Sequence, residues 1–178
     1  MYNSQISHIR KKLADIPDGH LEEAYTIHSG LTLTFQDYLT EQISCLHEAR
    51  PGFLEINYCR YGRAGWNMTD GTSLYLGPGD FCIHTQKLCA GSVMSLPGGY
   101  YEGLSICIEL AAFDENLPQL LTDTGITANT LSAKFCHDGT CFSLVGNEHT
   151  EPIFSGFFDL EQPFQKAYFF LKTMELLL

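Results

Sequence analysis

Hydrophobic and polar residues alternate through much of the first two thirds of the chain. "FLEINYCRYG", from Phe53 to Gly62, sets Leu54, Ile56, Tyr58 and Arg60 on one face and Phe53, Glu55, Asn57 and Cys59 on the other. A period of two is that of a β-strand. "LTLTFQDY" from Leu31 and "GLSICIEL" from Gly103 read the same way, the second with Leu104, Ile106, Ile108 and Leu110 aligned. Between these runs the breaks are glycine-rich: nine of the 16 glycines fall from Gly62 to Gly103, which predicts a meander of short strands and tight turns. Asp70-Gly71 sits between two strand-like runs, the signal for a hairpin with a type I′ turn. In "GPGD", Pro78 and Gly79 suit the centre of a type II turn, which needs a fixed φ and then a positive one. Six or more short antiparallel strands at this spacing predict a sandwich or small barrel.

The pattern changes after Phe113. "ENLPQLLTDTGI" and "TANTLSAKFC" read as short helices or turns. "HTEPIFSGFFDL" groups Ile153, Phe154, Phe157 and Phe158 at helical spacing, with Thr150 as a cap before Pro152. In "QPFQKAYFFLKTMELLL", Pro163 suits the first turn of a helix. Phe164, Ala167, Leu171, Met174 and Leu178 form one stripe of that helix, and Phe169, Phe170, Leu176 and Leu177 extend the apolar surface beyond it. A helix apolar on more than one face needs more than one packing partner. It ends on three leucines without a glycine, asparagine or basic cap, as expected of a chain severed within a longer protein.

Composition bounds the class. A length of 178 residues, 44% hydrophobic and 17% charged, suits one globular domain with a short appendage. "MYNSQISHIRKK" has no apolar core of a secretory signal, and no apolar run reaches membrane-spanning length; a cytoplasmic protein with no membrane partner is expected. Seven scattered cysteines argue against a secreted disulfide framework. The net charge is −11, and from Glu102 onward 11 acids face 3 lysines. Such a chain would repel nucleic acid, which is bound through lysine and arginine.

Candidate chemistry is sparse. Metal-binding cupins hold their ion with a His-x-His pair and a carboxylate on one strand and a histidine on a later one. "CRYGRAGWNMTDG" has no histidine, so His84 in "GPGDFCIH" stands alone and no metal is expected. Cys82, His84 and Cys89, and separately Cys136, His137 and Cys141, lack the further ligands of a zinc site, although Cys136 and Cys141 could pair if oxidised. The chain has no nucleophile elbow, phosphate loop or dinucleotide-binding glycine pattern. Glu102 and Glu109 read as exposed carboxylates. A set of rings and polar groups, namely Tyr58, Arg60, Trp66, Tyr75, His84, Tyr100, Tyr101 and Glu102, is the material of a pocket for a sugar, a small acid or an aromatic metabolite.

With its strands, turns and tail taken together, the chain resembles the N-terminal sensor domain of AraC-type transcription regulators. The resemblance is carried by "LEINYCRYGR", "DGTSLYLGPGDFCIH", "SLPGGYYEGLSICIEL" and "YFFLKTMELLL", and it runs from about Leu31 to the last residue. It implies a mainly β, α+β fold: a cupin-like antiparallel β-barrel (jelly roll) over residues 1–113, with an N-terminal extension at 1–30, and a helical dimerisation segment over 114–178. It further implies a non-enzymatic protein without a cofactor, a small-molecule effector inside the barrel, a homodimer, and DNA contact only through a C-terminal helix-turn-helix region absent from this chain. Carried onto these residues, the effector walls are Tyr58, Arg60, Trp66, His84 and Tyr101, and the dimer interface draws on Phe169, Phe170, Leu176 and Leu177. The competing expectation is a stand-alone cupin enzyme, a metal-dependent isomerase or dioxygenase.

Overall fold

A computed structural model describes residues 2–135, 141–159 and 165–178, with backbone alone at residues 2 and 3. The alternating runs form two antiparallel sheets. The larger has the order β1 (His20–His28), β2 (Leu31–Tyr38), β9 (Tyr101–Glu109), β4 (Phe53–Gly62), β7 (Phe81–Thr85) and β10 (Phe142–Leu144). The smaller has the order β3 (Gln42–Ser44), β8 (Val93–Ser95), β5 (Ala64–Asn67) and β6 (Ser73–Leu76). The helices are α1 (Tyr2–Lys12), α2 (Gln86–Cys89), α3 (Leu110–Glu115), α4 (Ala128–Phe135), α5 (Glu151–Gly156) and α6 (Gln165–Leu177), with a 3₁₀ turn at Gln119–Leu121. Among the described residues no strand pairing joins the two sheets, so they face each other as an open sandwich and not as the expected closed barrel. Residues 1–30, read from the sequence as an extension, supply α1 and the edge strand β1.

The layers are assigned in a way that alternation alone does not reveal. Leu54, Ile56, Tyr58, Phe81, Ile83, Leu104, Ile106 and Ile108, the apolar side of the large sheet, lie beneath the helices with Phe113, Leu131, Phe154, Phe157, Phe169 and Met174. The other side of the same strands faces the small sheet. There Tyr38, Cys59, Cys82 and Tyr101 meet Ala64, Trp66, Leu74, Leu76 and Met94. The main hydrophobic core is therefore between sheet and helices, and the inter-sheet layer is left the more polar face.

Turns follow their residues with one adjustment. Asp80 N–H donates to Gly77 O at 3.0 Å across Pro78-Gly79, and Gly79 takes a φ of 91°, the type II geometry. The hairpin between β5 and β6 is wider than a two-residue turn: Gly71 N–H donates to Met68 O at 3.1 Å, so Thr69 and Asp70 are the central residues. Asp70 Oδ1 accepts from Thr72 N–H at 2.9 Å, a side-chain turn that competes with the type I′ form. Gly62 is obligatory for a different reason, since with φ at +85° a Cβ there would lie 2.3 Å from Tyr100 O.

α5 starts where proline permits it, but Thr150 is not its side-chain cap. Asn147 Oδ1 instead accepts from His149 N–H at 2.9 Å and Thr150 N–H at 3.1 Å, while Thr150 Oγ1 accepts from Asn147 N–H at 3.0 Å. In α6 the buried face is Phe169, Thr173 and Met174. Ala167, Leu171 and Leu178 from the predicted stripe are exposed, and Pro163 and Phe164 lie outside the described residues. Phe170, Leu176 and Leu177 are half-buried against the core, with the Phe170 ring stacked on His28 at 5.4 Å.

Candidate functional site

Polar residues on the inner face of the large sheet open onto a cavity of about 350 Å³ between the sheets. β1 contributes His20 and Glu22, β2 Gln36 and Tyr38, β4 Glu55 and Asn57, and α2 Gln86 and Cys89. Trp66 of β5 and Met94 of β8 close it from the small sheet, and the loop carrying Cys45 and His47 forms its rim. The period of two puts Glu55 and Asn57 on one face of the central strand β4, and the antiparallel register sets Glu55 opposite His84.

The hydrogen bonds fix orientations. Asn57 Nδ2 lies 3.0 Å from His84 Nε2, and His84 Nδ1 lies 3.0 Å from Thr85 O. A carbonyl only accepts, so Nδ1 of the wholly buried His84 donates to Thr85 O, and Nε2 faces the Asn57 amide donor. Trp66 Nε1 donates to Ser92 Oγ at 2.8 Å, leaving only the indole ring to meet a ligand. Tyr38 donates a short hydrogen bond to Glu22 Oε1; burial, and then the carboxylate beside it, push the Tyr38 hydroxyl far above its ordinary range. Glu55 Oε2 accepts from Gln86 Nε2 at 3.0 Å.

The sequence-selected wall residues separate into two groups. Trp66 lines the cavity, His84 lies behind Asn57 with its ring edge-on to Trp66 at 5.3 Å, and Tyr101 is buried deeper, its hydroxyl donating to Tyr58 O at 3.1 Å. Tyr58 and Arg60 are on the opposite face of the sheet. Tyr58 stacks on Phe154 at 4.3 Å, and the Arg60 guanidinium sits 4.3 Å over Phe158 and 2.6 Å from Glu102 Oε1. Glu102 is buried at 2% exposure, contrary to the exposed carboxylate expected, because Arg60 neutralises it. Tyr75 is exposed, and Tyr100 is buried with Ile9 and Leu13 of the N-terminal segment. The cavity residues that pattern reading passed over, Glu22, Gln36, Tyr38, Glu55, Asn57 and Gln86, carried one signal: Glu55 and Asn57 interrupt the polar side of a strand whose neighbours are both strongly apolar.

Glu55, His84 and Cys89 place one ligand atom each within 4.8 Å of one another and are all buried. The sequence had grouped His84 and Cys89 with Cys82; the structure substitutes Glu55. A carboxylate, an imidazole and a thiolate would suit a zinc-like ion. Two features oppose it. The Nε2 lone pair of His84 is held by Asn57, and burial pushes the Cys89 thiol well above its ordinary value, against the thiolate that a metal needs. The groups as arranged do not fit a resident ion, and no chemical step is routed through one.

Cys82 turns instead to Cys141, whose thiol is pulled below its ordinary value by a hydrogen bond from Cys82. Cys59 and Cys107 are pushed by burial up to about 12. All six cysteines with described side chains are free thiols, and Cys136 and His137 lie outside the described residues. At pH 7, iodoacetamide is expected to modify half-buried Cys141 before Cys59, Cys89 or Cys107, because the thiolate is the nucleophile; equal labelling of all four in a mass-spectrometric time course would contradict this arrangement.

No protein-family model matches the sequence, and no curated protein matches it. The structural neighbours are cupin-like barrel proteins. A Cupin 2 conserved barrel domain protein from Salinispora arenicola is 14% identical, covering 56% of this chain and 84% of that one, with a TM-score of 0.43. One from Leptotrichia buccalis is 15% identical, covering 53% and 42%, at 0.41. A single-residue variant of oxalate decarboxylase from B. subtilis is 15% identical, covering 83% of this chain and 42% of its own, at 0.42. The chain thus spans under half the length of the last two, and none of these likenesses assigns a role to a residue. Among the described residues, no helix is long and apolar enough to cross a membrane.

Proposed function

We propose that this chain is the ligand-sensing and dimerising part of an AraC-type transcription regulator, a cytoplasmic protein without catalytic activity. A small-molecule effector occupies the inter-sheet cavity, and DNA contact belongs to a helix-turn-helix region outside these residues. The observation that carries the reading is the cavity itself: about 350 Å³, with convergent hydrogen-bonding side chains and an aromatic wall. The strongly acidic balance agrees with a part that does not itself touch DNA. Dimerisation would use the outer side of α6, where Leu171 is 55% and Leu178 72% exposed beside half-buried Phe170, Leu176 and Leu177; Phe169 supports that surface from beneath. Effector binding acts by favouring one arrangement of the two copies, which requires a different affinity for each.

The second reading, a metal-dependent cupin enzyme, draws on the proximity of Glu55, His84 and Cys89. Elemental analysis and thermal shift on purified protein separate the two. A sensor is expected to carry metal well below one equivalent and to gain several degrees with a metabolite present at about 100 times its Kd. Near-stoichiometric iron, manganese, nickel or zinc, lost on Glu55→Ala, would establish the enzyme instead.

A further inference from the structure

Three carboxylates are buried among the described residues, namely Asp37, Glu55 and Glu102. Two of them are matched by a cation of the same chain, Asp37 by Lys12 at 2.5 Å and Glu102 by Arg60 at 2.6 Å. Glu55 is not. Its contact is the neutral Gln86 amide, and it opens onto the inter-sheet cavity. A second carboxylate, Glu22, stands at the same cavity, while neither lysine nor arginine lines it. The basic residues nearest in sequence lie elsewhere: the Arg50 guanidinium sits on the Phe53 ring at 5.3 Å, and Lys87 is exposed on α2.

We infer that the cavity binds a small organic cation, an ammonium or guanidinium group on an aromatic or aliphatic body, with Glu55 as its counter-charge. The inference rests on the sensor reading and narrows its ligand. A buried carboxylate without a charged partner is unfavourable, and a ligand cation removes that deficit as Lys12 and Arg60 do on the other face. The walls agree with such a guest. The indole N–H of Trp66 and the hydroxyl of Tyr38 are already committed, so these two lining residues offer a ligand their rings and not a further donor, and an aromatic ring attracts a cation placed over its face. An anionic ligand would face Glu22 and Glu55 with no lysine or arginine among the lining residues. The histidines there are turned to other partners, His20 to Glu22 Oε1 at 3.3 Å and His47 to Cys89 Sγ at 3.4 Å, so the small acid named among the sequence candidates is disfavoured.

Three probes share one ring and differ at the chain end: tyramine carries an ammonium, tyrosol a hydroxyl and 4-hydroxyphenylacetate a carboxylate. Calorimetric titration of the whole chain at pH 7 is expected to rank tyramine at least about tenfold tighter than tyrosol, with no heat from the acid. Glu55→Gln is expected to remove that preference and leave tyrosol unchanged; Glu22→Gln, at the more exposed rim, to reduce it less. Should Glu55→Gln fail to fold, the ranking on the unaltered chain still decides. Tyrosol or the acid binding as tightly as tyramine overturns the cation and leaves a sensor with another ligand. Manganese or zinc binding in place of tyramine, lost on Glu55→Gln, overturns it in favour of the metal enzyme. No binding by any probe overturns the cation inference, and an equally silent neutral and anionic metabolite panel would then remove the sensor reading as well.

Discussion

Phe169→Ala is expected to lower folding stability by about 3–5 kcal/mol. The ring is 2% exposed and meets Tyr25 at 5.4 Å, Phe35 at 5.4 Å and Phe157 at 6.1 Å. It is the point where α6 is keyed into the outer face of β1 and β2. Truncation leaves a cavity among rings that belong to three separate elements, which a local shift cannot close. Leu171→Ala, two residues along but 55% exposed, is the control and is expected to change stability by no more than about 0.5 kcal/mol. Urea titration followed by fluorescence and circular dichroism reads both. A Phe169→Ala protein that keeps its stability and loses only self-association would place this ring between copies of the chain, contrary to the packing described.

The second large effect is electrostatic. Lys12→Met is expected to destabilise the protein by about 2 kcal/mol at pH 7.5, the lower end for breaking a buried pair because Lys12 is itself 35% exposed. Asp37 is the partner, 1% exposed, directly across from Glu102 in the β2–β9 register. Burial raises the Asp37 carboxyl above its ordinary value even with Lys12 opposing that rise. Its Oδ1, like Oε2 of Glu102, has no hydrogen-bond partner among the described residues. The sign follows from linkage. With the folded value above the unfolded one, the folded state takes up the proton first, so the penalty for the buried charge is complete above the folded value and fades as pH falls toward the unfolded one. Removing Lys12 raises the folded value further, and the variant's deficit should therefore shrink between pH 7.5 and pH 5. The exposed neighbour Lys11→Met should show neither the loss nor the pH dependence. A deficit that grows toward acid would mean that Lys12 acts on some group other than Asp37.

Strands were legible in the sequence wherever alternation was regular and ended in glycine. β2, β4 and β9 lie where the pattern puts them, and so does the Pro78-Gly79 turn. Which layer each face would meet was not legible. In an isolated two-sheet sandwich the apolar side of "FLEINYCRYG" would point inward, and Tyr58 and Arg60 would then line the pocket. Here helices cover that side, and no local pattern in the strand announces a layer formed by α3 to α6. His20–His28 escaped notice because an edge strand exposed on both faces, at Glu22 and Thr26 on one and Glu23 on the other, has too little apolar alternation to stand out. Of the candidate site, Trp66 and His84 were found because both carry distinctive chemistry. Glu55 and Asn57 were placed on one face of their strand but given no role, because the strand alone does not say what that face meets.

The two-faced central sheet also has a consequence for how this protein can diverge. Along β4, Leu54, Ile56 and Tyr58 pack into the core beneath the helices, while Glu55 and Asn57 line the chamber between the sheets. Stability and selectivity are thus written on alternate letters of a single strand. A lineage could exchange Glu55 for another polar group, and so acquire a new specificity, without disturbing Leu54, Ile56 or Tyr58, while Asn57 stays to partner buried His84. Descendants of such a scaffold would share a skeleton of alternate positions while differing at position 55.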